Sequence, residues 1–194
     1  MSRQWLYIIA GFGGLLLIGA IVLVLLFLSP VVIGKSVNVG PNERGVVLAP
    51  YEPSGEILEP GQHRLKPGEE VQIIVVSQQT YVMSATSSPT PDSVGAKTSD
   101  GHEIEVDVSV VYAVDPNKLF DLFIKWRDQY QVSLVRPLTR SITRDILSRY
   151  SADALIRNKR SEAQQTIRDK LKAEFAKNDL IFFDYVILDI RQSN

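Results

Sequence analysis

The stretch His102-Glu103-Ile104-Glu105-Val106-Asp107-Val108-Ser109-Val110-Val111-Tyr112-Ala113-Val114 decides the fold. Ile104, Val106, Val108, Val110, Tyr112 and Val114 alternate with Glu103, Glu105, Asp107 and Ser109. A period of two places the first set on one face of a strand, toward a core, and the carboxylates on the other. That acidic face is expected to meet solvent or a basic partner.

Upstream of this strand, Ser84 to Gly101 is dominated by Ser, Thr, Pro, Gly and Asp without periodicity. It reads as an exposed loop of unusual length that ends in the turn pair Asp100-Gly101. Earlier still, Arg44 to Leu48 and Val71 to Met83 are rich in β-branched residues and read as strands. Gly40-Pro41-Asn42, Pro53-Ser54-Gly55, Pro60-Gly61 and Pro67-Gly68 punctuate them as breakers.

Downstream the period changes. Asp115-Pro116 has the form of an N-cap followed by proline at the first helical position, and Leu119, Phe120, Phe123 and Ile124 follow at helical spacing. Leu134, Leu138, Ile142 and Ile146 lie four apart, with Pro137 as a predicted kink or break. Arg136, Arg140 and Arg144 keep the same step and form a basic stripe beside the apolar one. Ser151 is the expected N-cap of a last long helix reaching about Lys177, with Ile156, Ala163, Ile167, Leu171 and Phe175 as its buried face. Ile181 to Ile190 carries apolar residues on both sides, Phe183, Tyr185 and Ile187 against Val186, Leu188 and Ile190, and reads as a closing strand buried on both faces. Strands first, helices next and a strand last predict an α+β fold with a mainly antiparallel sheet.

The other end of the chain is of a different kind. Trp5 to Leu28 is an uncharged run of about 24 residues, enough at about 1.5 Å per residue to cross the hydrocarbon core of a bilayer. Leu15, Leu16, Leu17, Leu23, Leu25 and Phe27 supply its bulk, and Trp5 and Tyr7 stand at one end, where aromatic rings favour the interface. The run is too long for the apolar region of a cleaved signal peptide and lacks a small-x-small site after it. Pro30 falls too late to hinge an intramembrane hairpin. The expected layout is a flank over 1–4, a transmembrane helix over 5–29 and one domain over 30–194, hence a single-pass protein of the cell membrane. Arg3 before the run, with Lys35 and Arg44 after it, leave the side of the domain undecided.

Composition narrows the chemistry. With 194 residues, the chain has room for an anchor and one domain of ordinary size. Lys and Arg total 21 against 22 Asp and Glu, so no global field draws the protein to nucleic acid, which is not expected as a partner. Cysteine is absent, which removes disulfides, thiolate nucleophiles and cysteine-based metal sites. The two histidines, His63 and His102, sit in turn sequences without a second ligand at helical spacing. No nucleophile elbow, phosphate loop or zinc-protease helix occurs. The expectation is a protein that is not an enzyme and holds neither metal nor cofactor.

Several fragments, in order, resemble one family. Val37-Asn38-Val39-Gly40-Pro41-Asn42-Glu43-Arg44-Gly45-Val46-Val47 resembles the opening strand and turn of the stomatin/prohibitin/flotillin (SPFH, or band 7) domains, and Pro60-Gly61-Gln62-His63 is similar to their Pro-Gly-x-His turn. Thr98-Ser99-Asp100-Gly101 resembles their Thr-x-Asp-Gly signature, Arg136 to Asp145 the helix after it, and Tyr150-Ser151-Ala152-Asp153-Ala154-Leu155 the segment before their last helix. The likeness covers about Val37 to Ile190 and is nearest in layout to single-pass prohibitin-like members. Ser84 to Ser99 is longer than the family pattern, and Ala49 to Gly55 lacks its Phe-Gly ending. What the resemblance implies is a membrane-anchored oligomeric scaffold that organises membrane microdomains and encloses or regulates membrane proteins such as proteases. Its partners would be membrane lipids, further copies or related subunits, and a membrane protease or other membrane protein. It also implies a long helix rich in Ala, Glu and Lys after the domain, packing against its neighbours in a ring; the sequence given ends at Asn194. The alternative is a monomeric membrane-tethered adaptor for a single protein.

The segregation of acid onto a strand and base onto helices suggests how protomers meet. Glu103, Glu105 and Asp107 would face Arg136, Arg140, Arg144, Arg157 and Arg160 of a neighbour in a head-to-tail contact. A solvated helix face is the plainer reading of the arginine stripe, and phosphate binding a third.

Overall fold

The computed structural model describes residues 35–50, 52–87 and 90–192. The anchor assigned to 5–29, with Trp5, Tyr7, Leu15, Leu16, Leu17, Leu23, Leu25 and Phe27, lies outside the described residues. Among the described residues no helix is long and apolar enough to cross a membrane.

From Ser36 onward the chain is one compact α+β unit with antiparallel sheets. β1 (Ser36–Val39) pairs with β4 (Gly61–Arg64), and β2 (Glu43–Leu48) lies between β3 (Pro53–Leu58) and β5 (Glu70–Val75). The largest sheet is built on β8 (Glu103–Val114), the alternating stretch of the sequence. β6 (Gln79–Met83) and β7 (Val94–Lys97) share one side of β8, and β9 (Leu180–Gln192) runs along the other from Ile104 to Val114. Val106, Val108, Val110, Tyr112 and Val114 are fully buried, as the period of two requires. The apolar run around residues 71–83 is two strands in two sheets, broken after Val75.

Three helices follow β8: α1 (Leu119–Trp126), α2 (Arg136–Leu147) and α3 (Arg160–Lys177). Asp115 caps the turn leading into α1 by accepting from the Asn117 amide at 2.9 Å, with Pro116 behind it. Pro137 sits in the first turn of α2, directly after a π-helical turn over Gln131–Val135, so the kink or break expected there is a change of helix type. α3 packs on β9 and on α2, and α2 packs on β7. Ala163, Ile167, Leu171 and Phe175 of α3 are all fully buried. The Phe175 ring meets Tyr112 and Phe182 edge to face, with centroids 6.1 and 5.9 Å away. Such pairs add about 0.5–1.5 kcal/mol beyond the area they bury.

Three expectations shift, two of them because extra residues are inserted into a period. A π-helical turn over Leu155–Lys159 rotates the helix phase, so Leu155 is buried and Ile156 is 54% exposed. β9 is not buried on both faces. Its register against β8 slips twice, leaving Phe183 and Leu188 as the extra residues, 50% and 47% exposed, while Tyr185 and Ile187 stay buried. The long loop from Ser84 contains β7, which forms a hairpin with the start of β8. Periodicity could not reveal it, since Val94 is its only fully buried residue.

Candidate functional site

An outer strand carries unpaired N–H and C=O groups along its free edge, and a folded chain has to cover them or leave them open. In the β8 sheet, two of the three outer strands are covered by a helix, through polar side chains spaced four apart so that they share one helix face.

At the β7 edge the helix is α2. Arg136 donates through Nε (3.0 Å) and Nη2 (2.5 Å) to the Asp92 carboxylate. One turn later, Arg140 Nη2 donates to the same carboxylate (2.6 Å) and to the Asp92 and Ser93 carbonyls (3.0 and 3.1 Å). A further turn on, Arg144 Nε donates to the outward Gly95 carbonyl at 2.7 Å. The Tyr81 hydroxyl adds a bond to Asp92 at 3.1 Å. Asp92 is only 15% exposed, and its bonds to Arg136 hold its carboxyl below the ordinary range despite burial. Burial in turn lowers the pKa of Arg140, against the pull of Asp92.

At the β9 edge the helix is α3. Arg160 donates to the Ile187 and Leu188 carbonyls, Gln164 accepts from the Ile187 amide at 2.9 Å, and Arg168 donates to the Tyr185 carbonyl at 2.9 Å. The Tyr185 amide is taken by Asp184 at 2.8 Å, which Arg168 also pairs. No buried carboxylate lies in this row; its bonds are chiefly to backbone.

The expected acidic face is divided. Glu103 is exposed and Glu105 half-buried, where it accepts from Ser93 at 3.2 Å. Asp107 is not on an open face: it is buried, paired with Arg191 at 2.7 Å, and accepts from Ser84 Oγ (2.8 Å) and the Ala85 amide (3.0 Å). These bonds, Arg191 first, lower its pKa to about 2. Arg157 pairs with Asp153 on the surface, and such an exposed pair is worth about 0–1 kcal/mol. Arg136, Arg140, Arg144 and Arg160 therefore all have partners within their own chain. His63 lies 2.7 Å from the Glu59 carbonyl, a local turn bond, and among the described residues no cluster of His, Asp and Glu could hold a metal.

One motif has a clear mechanical role. In Thr98-Ser99-Asp100-Gly101 the Asp100 carboxylate accepts from the Ala152 amide (3.2 Å), the Ser99 amide donates to Tyr150 (2.9 Å), and Gly101 takes φ +84°. The turn thereby ties the β7–β8 hairpin to the Ser151-capped helix start that leads into α3. A family model, described as SPFH domain / Band 7 family, matches residues 37–193. The chain belongs to the SPFH/band 7 family. A search of the curated proteins finds no match. The SPFH domain thus spans the whole compact unit, including both helix-covered edges.

Asp92, Gln164, Arg168 and Arg191 were not singled out by sequence. The four-residue step that marks Arg136, Arg140 and Arg144 also runs through Arg160, Gln164 and Arg168, and could have exposed the second row. Asp92 carries no such signal, because its arginine partners are more than forty residues away.

Proposed function

We propose that this SPFH protein is a membrane-anchored scaffold subunit, not an enzyme, that assembles laterally with copies or related subunits to organise membrane lipids and proteins. The observation that carries this reading is the order of parts: an uncharged run over residues 5–28 followed directly by an SPFH domain over 37–193. The run would hold the domain beside the bilayer. Enclosure or regulation of a membrane protease, and the forming of microdomains, belong to the same proposal.

The contact between protomers is proposed to be head-to-tail, between the Glu103–Glu105 end of β8 and the Arg157–Arg160 turn. Glu103 is the exposed member of the acidic set, and Arg144, Arg157 and Arg160 are exposed in the basic one, where Arg157 pairs only with its surface neighbour Asp153. Asp107, Arg136, Arg140 and Arg144 would support this contact from behind, by holding the β8 and β7 surfaces in place. Charge would set the register, and apolar contact would supply most of the affinity.

Cross-linking in native membranes tests the proposal. A ladder beyond the dimer is expected; a single heterologous adduct would point to the monomeric adaptor instead. Glu103→Lys is expected to shorten the ladder and Arg157→Glu, added to it, to restore part of it. The anchor has its own test: the full chain should stay with carbonate-washed membranes, and a chain lacking residues before Pro30 should not.

A further inference from the structure

The third outer strand of the β8 sheet differs from the other two. Tyr185 and Ile187 turn their backbone groups away from β8, so Val108 and Val110, paired with Ile187 and Tyr185, turn theirs toward β6. Met83 and Tyr81 are their partners on β6, which leaves the N–H and C=O groups of Thr80 and Val82 on the outer edge. Among the described residues none of these four groups has a hydrogen-bond partner. Thr80 and Val82 are exposed, Val82 at 45%. Among the described residues no helix lays a polar row along this edge, and the strand has neither proline nor lysine, the usual protections.

What adjoins the edge defines what fits it. A cleft lined by Tyr81, Val82, Ser87, Thr90, Asp92 and Arg136 opens beside β6. Arg136 is 38% exposed; Asp92 engages its Nε and Nη2, and Nη1 has no acceptor among the described residues. Asp92 is one carboxylate shared by two guanidiniums, Arg136 in the lining and Arg140 behind it, so it offsets the charge of Arg136 only in part. Tyr81 points to the same face as Arg136, and Val82 to the other, by the alternation of the strand.

We propose that the free edge of β6 accepts an extended peptide segment of another protein as an added strand, with a carboxylate side chain opposite Tyr81 and apolar residues on either side of it. Main-chain bonds to Thr80 and Val82 supply the pairing. The carboxylate reaches Arg136 Nη1 and selects acidic segments over basic ones. The apolar neighbours cover Val82. This surface is separate from the Glu103 and Arg157 contact and stands whether or not the protein forms large assemblies.

The test uses the full chain in detergent micelles and two synthetic heptapeptides, one alternating valine with glutamate and the other valine with lysine. The glutamate peptide is expected to bind at least tenfold more tightly and to slow hydrogen exchange at the Thr80 and Val82 amides, which exchange freely without it. Val82→Pro removes an outward N–H that no ladder bond uses, so it should leave the unfolding midpoint in place while weakening the glutamate peptide at least tenfold. Equal binding of the two peptides would overturn the proposal. So would Thr80 and Val82 amides that are already protected in the peptide-free protein, since another segment or a second copy would then occupy the edge.

Discussion

The β7 and β9 edges are covered by the same device and depend on it to different degrees. β7 is four residues long and pairs with β8 at four positions, with Val94 alone fully buried. β9 is thirteen residues long, pairs with β8 from Ile104 to Val114, and seats Leu180, Tyr185 and Ile187 in the core. Apolar burial, including that against α3, fixes β9 without the polar row of α3. β7 has little to bury, so Arg136, Arg140 and Arg144 hold it, with Asp92 as the largely buried counter-charge. An identical helical spacing thus anchors one strand and shields the other.

The largest break in this comparison should come from Asp92→Ala. It leaves Arg140, 22% exposed, without its counter-charge and frees Arg136 and Tyr81. Removing one partner of a largely buried pair costs about 3 kcal/mol, and urea denaturation of the full chain in non-ionic detergent should show it. Exchange of the Val94 and Ala96 amides should speed up first, before those of β9.

Acid should weaken the fold through its paired carboxylates. Asp107, depressed to about 2, and Asp92, also depressed, contribute stability that is fully present above the ordinary carboxylate range and lost as pH falls through their folded values. Asp107 alone accounts for about 2 kcal/mol between roughly pH 5 and pH 2. Asp107→Asn should flatten that part of the stability curve, and an unchanged acid limb would show that the Arg191 pair is not coupled to folding.

At the β9 edge the effect should lie elsewhere. Arg160→Ala with Arg168→Ala removes contacts to carbonyls on a strand already fixed by its core residues, and a loss of about 1 kcal/mol is expected. The exposed edge should then pair with other chains, which sedimentation would detect as concentration-dependent association.

How much of this was readable beforehand follows from what each element depends on. β8 was legible because every second residue is apolar over its whole length, and α3 because Ala163, Ile167, Leu171 and Phe175 keep an unbroken four-residue step. Pro137 was read as a kink or break within a helical run, and the helix passes there from a π turn into α2, because proline lacks the N–H that continues the ladder. β9 was found, but its faces were misread, since a bulge adds one residue and leaves no mark in composition. Ile156 was misplaced by a π turn for the same reason. The arginine stripe was visible and its partner was not. Asp92 lies in a stretch without periodicity, and only the folded chain brings it to α2. The acidic face was correct for Glu103 and failed for Asp107, because Arg191 and Ser84 come from distant parts of the chain.

Urea denaturation of Arg140→Ala and Arg160→Ala side by side tests the comparison most directly. Arg140→Ala should lose about 2 kcal/mol and Arg160→Ala less than half as much, because one guanidinium holds a strand through a largely buried carboxylate and the other covers an edge that is already fixed. Equal losses, or a larger loss for Arg160→Ala, would contradict the distinction between an anchoring row and a shielding one.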